Sequence, residues 1–182
     1  MSLEDLIASG YEARKDRRPE QAKEIFREAV RLSRNSVDPM LLASSLTGLG
    51  QIERDLDNND AALEHYREAV GILKSEPNRL RFAHTIRHLA DILREDGSAE
   101  EAAACYGDAL RVYREYTETP PLDLANTLRG FALLKVRLGE TEQANSLWQE
   151  ARSLYESLGV RAGVEESERH IAHLRTKQTS TP

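Results

Sequence analysis

The feature that most constrains this chain is a four-position pattern that occurs four times. A small residue is followed by an alanine 12 residues later, an aromatic residue 4 residues after that, and a second alanine 3 residues further on. Successive copies are offset by 40, 40 and 42 residues. The register predicts an internal repeat, because an unrelated amphipathic bundle would show no fixed spacing. The copies are Gly10, Ala22, Phe26, Ala29; Gly50, Ala62, Tyr66, Ala69; Ala90, Ala102, Tyr106, Ala109; and Ala132, Ala144, Trp148, Ala151.

Each copy fits a pair of helices joined by a short turn. We expect the small residue on the first helix, and both alanines and the aromatic residue on the second. Small side chains that face each other would let the two helix axes approach to the short end of the usual range of ~8–10 Å. The aromatic residue lies one turn beyond the first alanine, where it can fill the gap to the neighbouring pair.

Helix-breaking residues recur at the places that this arrangement requires. Asp57, Gly97 and Gly139 share one column between the helices of a pair, where a left-handed C-cap is expected. Pro19 suits the first turn of a helix, and the segment that starts at Ser98 resembles a capping box. Prolines also recur between the pairs: Pro39, Pro77, Pro120 and Pro121.

No segment shows the two-residue period of a strand, so we predict an all-α chain. Ala172 lies 40 residues after Ala132, but no second helix follows it. We therefore expect a C-terminal capping helix at about 160–175, which completes a single array over residues 1–175, and a flexible tail at 176–182. The four pairs are expected at about 3–36, 39–75, 77–117 and 120–157.

Composition excludes several classes of protein. With 31 acidic and 25 basic residues the net charge is -6, which argues against a general nucleic-acid binder. Cys105 is the single cysteine, so a disulfide framework and a cysteine-based zinc site are excluded. No apolar run approaches the ~20 residues of a membrane helix, and the acidic N-terminus is unlike a signal peptide. We expect a cytoplasmic protein that does not bind membranes.

In the second pair, Leu46, Leu49 and Gly50 are followed by Ala62 and Tyr66, and the last pair shows a similar series. This series resembles the tetratricopeptide repeat family. The common repeat has about 34 residues, whereas these units have 40–42, which is similar to the longer, kinesin-light-chain-like subclass. The resemblance implies a right-handed superhelical solenoid. Its first helices would line a concave groove that binds a peptide or a segment of a partner protein.

The predicted groove is polar and rich in arginine. Guanidinium groups can hold carboxylates bidentately, so the arginines favour an acidic peptide as partner. The alternative is that they are ordinary solvated arginines paired with acidic residues on their own surface. Gly48 is also expected in the groove. The candidate ligand-binding residues are Tyr11, Arg14, Gln51, Arg54, His84, Arg87, His88, Asp91, Arg94, Asn126, Arg129 and Arg137.

The predicted function is that of a protein–protein interaction scaffold. One alternative is a homo-oligomerisation module such as a homodimer, because Ile7, Tyr11, Leu133 and Val136 would place apolar side chains on the groove side. Another is a domain that senses a short signalling peptide. Both alternatives remain open on the sequence alone.

The sequence gives no support for catalysis, a cofactor or a metal site. His84, His88 and Asp91 follow a spacing that could ligate zinc or nickel, but no suitably spaced further ligand accompanies them. Cys105 lacks a motif that would pair it with a base, so we expect a core thiol. No phosphate-binding loop or catalytic serine or zinc motif is present, and we predict that the chain is not an enzyme.

Overall fold

The computed structural model describes residues 1–179, and the side chains of residues 1–176. This part of the chain contains nine α-helices and no strand, which confirms the all-α prediction. The helices are α1 (Leu3–Lys15), α2 (Pro19–Ser33), α3 (Pro39–Asp55), α4 (Asn59–Leu73), α5 (Arg79–Asp96), α6 (Ala99–Glu115), α7 (Pro121–Arg137), α8 (Thr141–Ser157) and α9 (Arg161–Thr179).

Two compact units divide the chain, unit 1 over Met1–Ile92 and unit 2 from Leu93 onward. Within unit 1, α1 packs against α2, α2 against α3, and α3 against α4. First helices also touch each other there, because α1 contacts α3. Within unit 2, α6 packs against α7, α7 against α8, and α8 against α9. In these six pairs consecutive helices are neighbours in space, as expected for a repeat of helical pairs.

The predicted turn column adopts the left-handed conformation. Asp57, Gly97 and Gly139 have φ values of 61°, 94° and 75°, and Arg17, in the same column of the first pair, has 57°. The capping-box prediction at Ser98 is wrong: this side chain makes no cap bond and donates instead to Asp96. A capping box does begin α1, where Ser2 and Asp5 exchange backbone–side-chain bonds.

The repeated small and aromatic residues form the core. The four aromatic residues of the pattern, and its eight alanines on the second helices, have no exposed surface. In unit 1, Phe26 and the alanines next to it join an apolar cluster with Leu46, Leu49 and Ile52. In unit 2, Trp148 packs with Ala132, Ala144 and Ile171. A fully buried aromatic side chain of this kind removes about 150–250 Å² from water, so this column contributes strongly to stability.

The small residues of the first helices make room for the aromatic rings. A Cβ atom added to Gly10 would lie 2.8 Å from Phe26 Cζ, and one added to Gly50 would lie 3.1 Å from the Tyr66 ring. Gly48, which we expected in the groove, lies under Phe26: an added Cβ would be 2.1 Å from Cε1. The Phe26 ring therefore meets glycine backbone on both α1 and α3.

A buried ion pair joins α2 to α3 near the turn that follows α3. Lys23 Nζ lies 2.8 Å from Glu53 Oε2, and the Asn58 side chain donates to the same oxygen at 2.9 Å. Glu53 is only 4% exposed, and its burial would raise the carboxyl pKa. The bonds from Lys23 and Asn58, with the charge of Arg27, outweigh burial and leave that pKa below its usual value.

Helix α9 occupies the position of the expected capping helix. It begins at Arg161 and continues to Thr179, four residues beyond the end that we expected. Residues 180–182 of the expected tail lie outside the described residues. Ile171 and Leu174 bury one side of α9 against the Trp148 cluster, while Ala172 is exposed. The single array over residues 1–175 stays a prediction.

Candidate functional site

Eight of the candidate residues lie in unit 1, on the first helices α1, α3 and α5. Most of them contact one another through side-chain hydrogen bonds, and we call this surface the unit-1 face. Four more residues belong to it: Ser44, Asp55, Arg81 and, from α4, Tyr66. The eight candidates are Tyr11, Arg14, Gln51, Arg54, His84, Arg87, His88 and Asp91.

Arg14 connects α1 to α3. Its Nε and one terminal nitrogen donate to the two carboxylate oxygens of Asp55 at 2.6 and 3.2 Å. The other terminal nitrogen donates to Gln51 Oε1 at 3.2 Å. A bidentate arginine–carboxylate pair fixes the orientation of both side chains. Arg14 therefore holds the Gln51 amide with its oxygen toward α1.

The Gln51 amide nitrogen faces two histidines of α5. It lies 3.2 Å from His88 Nε2 and 3.4 Å from His84 Nε2. Arg87 also places a terminal nitrogen 2.8 Å from His88 Nε2. Because a guanidinium group has no acceptor, His88 Nε2 must accept. His88 is therefore neutral, with its ring proton on Nδ1.

Asp91 and Tyr66 complete this network. Asp91 Oδ2 accepts from Arg87 at 3.1 Å and from Arg54 at 3.4 Å, so one carboxylate serves two arginines. The Tyr66 ring reaches the face from α4 and stacks on His88, with centroids 5.6 Å apart and planes 6° apart. Among the described residues, Tyr66 Oη, Arg87 Nε and His88 Nδ1 are buried without a hydrogen-bond partner. The stack and the bonds enclose the imidazole on several sides.

This enclosure changes the acid–base properties of the face. Burial lowers the pKa of His88 well below its usual value, and the positive charge of Arg87 lowers it further. Burial also raises the pKa of the Tyr66 phenol, despite the nearby arginines. His88 is consequently neutral at pH 7, in agreement with its role as an acceptor.

Arg81 belongs to the same face, although the sequence analysis did not select it. It is exposed, lies on α5 and donates to the Ser44 hydroxyl on α3. Within the described residues no carboxylate lies within 4.0 Å of its guanidinium group. Tyr11 stands edge-on to Phe26 at 5.0 Å, and burial raises its pKa, although the charges of Arg81 and Arg14 oppose this. The sequence signal for Arg81 was its position three residues before His84, on the same face of a first helix.

The remaining four candidates lie in unit 2. Arg94 donates to Glu95 at 3.0 Å and to Tyr106 Oη at 3.3 Å, and Arg137 donates to the main-chain oxygen of Arg94. Asn126 accepts from Tyr155 of α8 at 2.8 Å.

Arg129 makes a bidentate pair with Glu166 of α9 at 2.6 and 2.7 Å. The arginine bond lowers the pKa of Glu166, although burial opposes this. The arginines of both units thus bond to groups of the chain itself, and their role in a common groove stays a prediction.

The expected apolar patches are largely used in packing. Ile7 is buried in the unit 1 core, and Leu133 and Val136 pack partly buried against the Trp148 cluster. Nowhere in the described part of the chain do three or more His, Cys, Asp or Glu side chains form a group that could hold a metal ion. Among the same residues, no helix is both long and apolar enough to span a bilayer.

Sequential packing of helical pairs around a repeated small–aromatic core defines an α-helical repeat protein. A family model described as tetratricopeptide repeat matches residues 7–75 and 81–157, which is most of the chain. The chain therefore belongs to the tetratricopeptide repeat family, as the sequence analysis predicted. Repeats of this family are generally scaffolds for protein interaction and are typically not enzymes.

Two curated relatives match part of the chain. One is response regulator aspartate phosphatase A of Bacillus subtilis, 28% identical over 118 residues. The other is protein kinesin light chain-related 3 of Arabidopsis thaliana, 29% identical over 112 residues. The matches cover 65% and 60% of this chain but only 30% and 17% of those proteins. The chain thus spans less than a third of either relative.

Solved structures with the same fold cover nearly the whole chain. BtubC (BKLC) from P. vanneervenii has a TM-score of 0.68 at 16% identity, covering 100% of this chain and 94% of that one. A putative kinesin light chain from Podosopora anserina with nearly identical TPR-like repeats has a TM-score of 0.70 at 13% identity, covering 98% and 97%. At these identities the similarity shows the fold. The kinesin-light-chain names agree with the subclass that the repeat length predicted.

Proposed function

We propose that this chain is a protein-interaction scaffold that binds an acidic segment of a partner protein on the unit-1 face. The observation that carries the proposal is the charge of that face. Four arginines stand against two carboxylates there, in a chain whose net charge is -6. The four arginines are Arg14, Arg54, Arg81 and Arg87, and the carboxylates are Asp55 and Asp91.

The arrangement of the arginines supports the same partner. They come from three neighbouring helices, and the bonds among their side chains hold them in defined positions. Donors that are already held in place lose less conformational entropy when a partner binds. Arg81 offers an exposed guanidinium group that, among the described residues, bonds to the side chain of Ser44 alone. An incoming carboxylate can bond to it without displacing an acidic residue of the chain.

A random peptide library displayed on phage tests this proposal. We expect the wild-type chain to enrich peptides with clustered Asp or Glu, and a synthetic copy of the best one to bind with a measurable Kd. The double variant Arg54→Glu, Arg81→Glu should weaken that binding at least about tenfold, because each change reverses a charge on the face. Arg31→Glu is the matched control, since Arg31 lies exposed on the second helix α2. Equal binding by the double variant and the control would remove the unit-1 face from the proposal.

A regulatory domain is the second candidate. The observation that favours it is the similarity to a protein named response regulator aspartate phosphatase A, of which the chain spans 30%. The test measures the lifetime of the aspartyl phosphate on a purified response regulator, with and without the chain. A changed lifetime supports this candidate, and an unchanged lifetime across a panel of regulators counts against it. The homodimer has less support, because Ile7 is buried and Leu133 and Val136 pack within unit 2.

A further inference from the structure

Two arginines set the directions of the hydrogen bonds around Gln51 and His88, Arg14 at one end and Arg87 at the other. Arginine can only donate, so Arg14 requires the Gln51 oxygen to point toward α1, and Arg87 requires His88 Nε2 to accept. The Gln51 amide nitrogen then donates toward both histidines. The two ends agree on a single arrangement of the amide. That arrangement exists only while Nε2 of His88 carries no proton.

Protonation of His88 would reverse one link of this chain of bonds. Nε2 would become a donor, so it would face two donors, the Gln51 amide nitrogen and the Arg87 guanidinium group. Turning the amide by 180° would give His88 an acceptor. It would also present two donors to each other at Arg14, which now donates to the Gln51 oxygen at 3.2 Å. Arg14 would then keep only Asp55 on α3.

The charges around His88 favour its neutral form. Arg14 faces it from α1, Arg54 from α3 and Arg87 from its own helix. The titratable ring of His84 also lies on that helix, with its centroid 4.8 Å from that of His88. Tyr66 of α4 covers one ring face and is uncharged at neutral pH. The carboxylate of Asp91, on the same helix, is already bonded to Arg87 and Arg54. A protonated His88 therefore finds no unbonded carboxylate in this network, and it has to displace existing bonds.

We propose that His88 makes the unit-1 face a proton-operated surface with two arrangements. In the neutral arrangement Gln51 links α1, α3 and α5. In the protonated arrangement Gln51 turns, Arg14 is released from it, and the face gains one positive charge. The free chain carries this behaviour without any partner, so the inference stands or fails separately from the proposed function.

Nuclear magnetic resonance of the ¹⁵N-labelled chain without ligand tests the proposal. The ring nitrogens of His88, the Gln51 side-chain amide and Arg14 Nε–H are followed from about pH 7.5 to about pH 4.5, across the range in which histidines titrate. We expect the Nδ1–H tautomer of His88 at the start. We also expect the Gln51 and Arg14 signals to shift at the same midpoint as His88, below pH 6.5. In His88→Gln, whose amide oxygen can accept in place of Nε2, this common midpoint should vanish.

His65→Gln is the matched control, because His65 lies on α4 and takes no part in the hydrogen bonds among Arg14, Gln51, His88 and Arg87. It should leave the His88 midpoint and the coupled shifts unchanged. The proposal is overturned if His88 carries its proton on Nε2 at neutral pH, if it titrates at or above pH 6.5, or if Gln51 and Arg14 do not respond with it. Circular dichroism at each pH monitors the fold. If wild type and His88→Gln both unfold at a pH above that at which His88 titrates, no second folded arrangement exists and the proposal is overturned.

Discussion

Tyr66 and His88 lie face to face, with ring centroids 5.6 Å apart and ring planes 6° apart. The same relationship recurs in unit 2, where Trp148 and His170 stack at 4.3 Å and 5°. His88 and His170 share one column of the repeat with Gly48, where Phe26 packs on bare backbone instead. The residue at this position therefore sets how the aromatic ring of the preceding second helix is packed. A histidine stacks on the ring, whereas a glycine lets the ring lie directly on the helix backbone.

Adding one methyl group at Gly48 should destabilise unit 1. The new Cβ of Gly48→Ala would lie 2.1 Å from Phe26 Cε1, so the ring or α3 must move. We expect a loss of about 1–3 kcal/mol in the free energy of unfolding, measured by urea denaturation. Gly71→Ala in α4 is the control, since nothing lies within 4 Å of the added atom. Alanine is the better helix former there, so the control should gain about 0.5–1 kcal/mol. Equal effects of the two changes would contradict the packing described here.

Truncation of Trp148 should be among the most costly single changes in the described part of unit 2. Its side chain is fully buried and contacts α7 and α9 residues such as Ala132 and Ile171. Trp148→Ala should lower the free energy of unfolding by ~3–5 kcal/mol, because it removes apolar contacts and leaves a cavity. Thermal and urea denaturation measure this loss. Leu158→Ala, at a side chain that is 40% exposed, should cost much less. A wild-type melting temperature in Trp148→Ala would show that the aromatic column is not the core.

Neutralising Glu53 should cost more than neutralising a surface carboxylate. Glu53→Gln leaves the Lys23 ammonium, whose side chain is 14% exposed, without its carboxylate. Breaking a buried pair costs ~3–5 kcal/mol, and we expect the lower end because Lys23 keeps some contact with water. Glu68→Gln is the comparison, since its pair with Arg34 is exposed and should contribute ~0–1 kcal/mol. Urea denaturation at pH 7 measures both. Similar losses would mean that burial does not strengthen the Lys23–Glu53 pair.

His88 should make stability depend on pH in the mildly acidic range. Its pKa in the folded chain lies well below 6.5, so below pH 6.5 the unfolded chain binds the proton more readily. The free energy of unfolding should therefore fall as the pH drops from 6.5 toward the folded pKa, by up to ~1.4 kcal/mol per pH unit. Urea denaturation at several pH values measures the slope. His88→Gln should flatten it over that interval, and an identical slope in the variant would assign the effect to other groups.

Much of the fold could be predicted because its signals recur at a fixed spacing. Gly10, Ala22 and Phe26 identify buried positions only when they are compared with the other three copies. A proline at the start of a helix and a left-handed residue at a turn act locally. The helix start at Pro39 and the turn at Gly97 could therefore also be predicted. The capping box at Ser98 was predicted wrongly, because its hydroxyl bonds to Asp96 and the sequence alone does not show this choice of partner.

The candidate site was predicted less well, because its bonds cross between helices. Gly48 was assigned to a polar surface from its position on one helix, but its environment is set by Phe26 on another. Ser45, Thr85 and Thr127 are buried and occupy equivalent positions of the repeat, but the sequence analysis did not identify them as core residues. Ser45 and Thr127 hydroxyls bond to the main-chain oxygen four residues earlier, so a polar residue satisfies its needs within its own helix. Hydrophobicity patterns do not show such positions.

The covering of Trp148 by α9 bears on how such a protein can be enlarged or shortened. Each aromatic residue is carried by one pair of helices but is closed over by the first helix that follows, as Phe26 meets Gly48 and Trp148 meets His170. The same rings also pack on the first helix of their own pair, as Phe26 does on Gly10 and Trp148 on Ala132, so each ring depends on three consecutive helices. A graft that exchanges whole hairpins would keep the contact within the pair, but the next first helix must then present a fitting residue to the ring. Recombination at the turn inside a hairpin would instead separate the ring from the small residue of its own first helix.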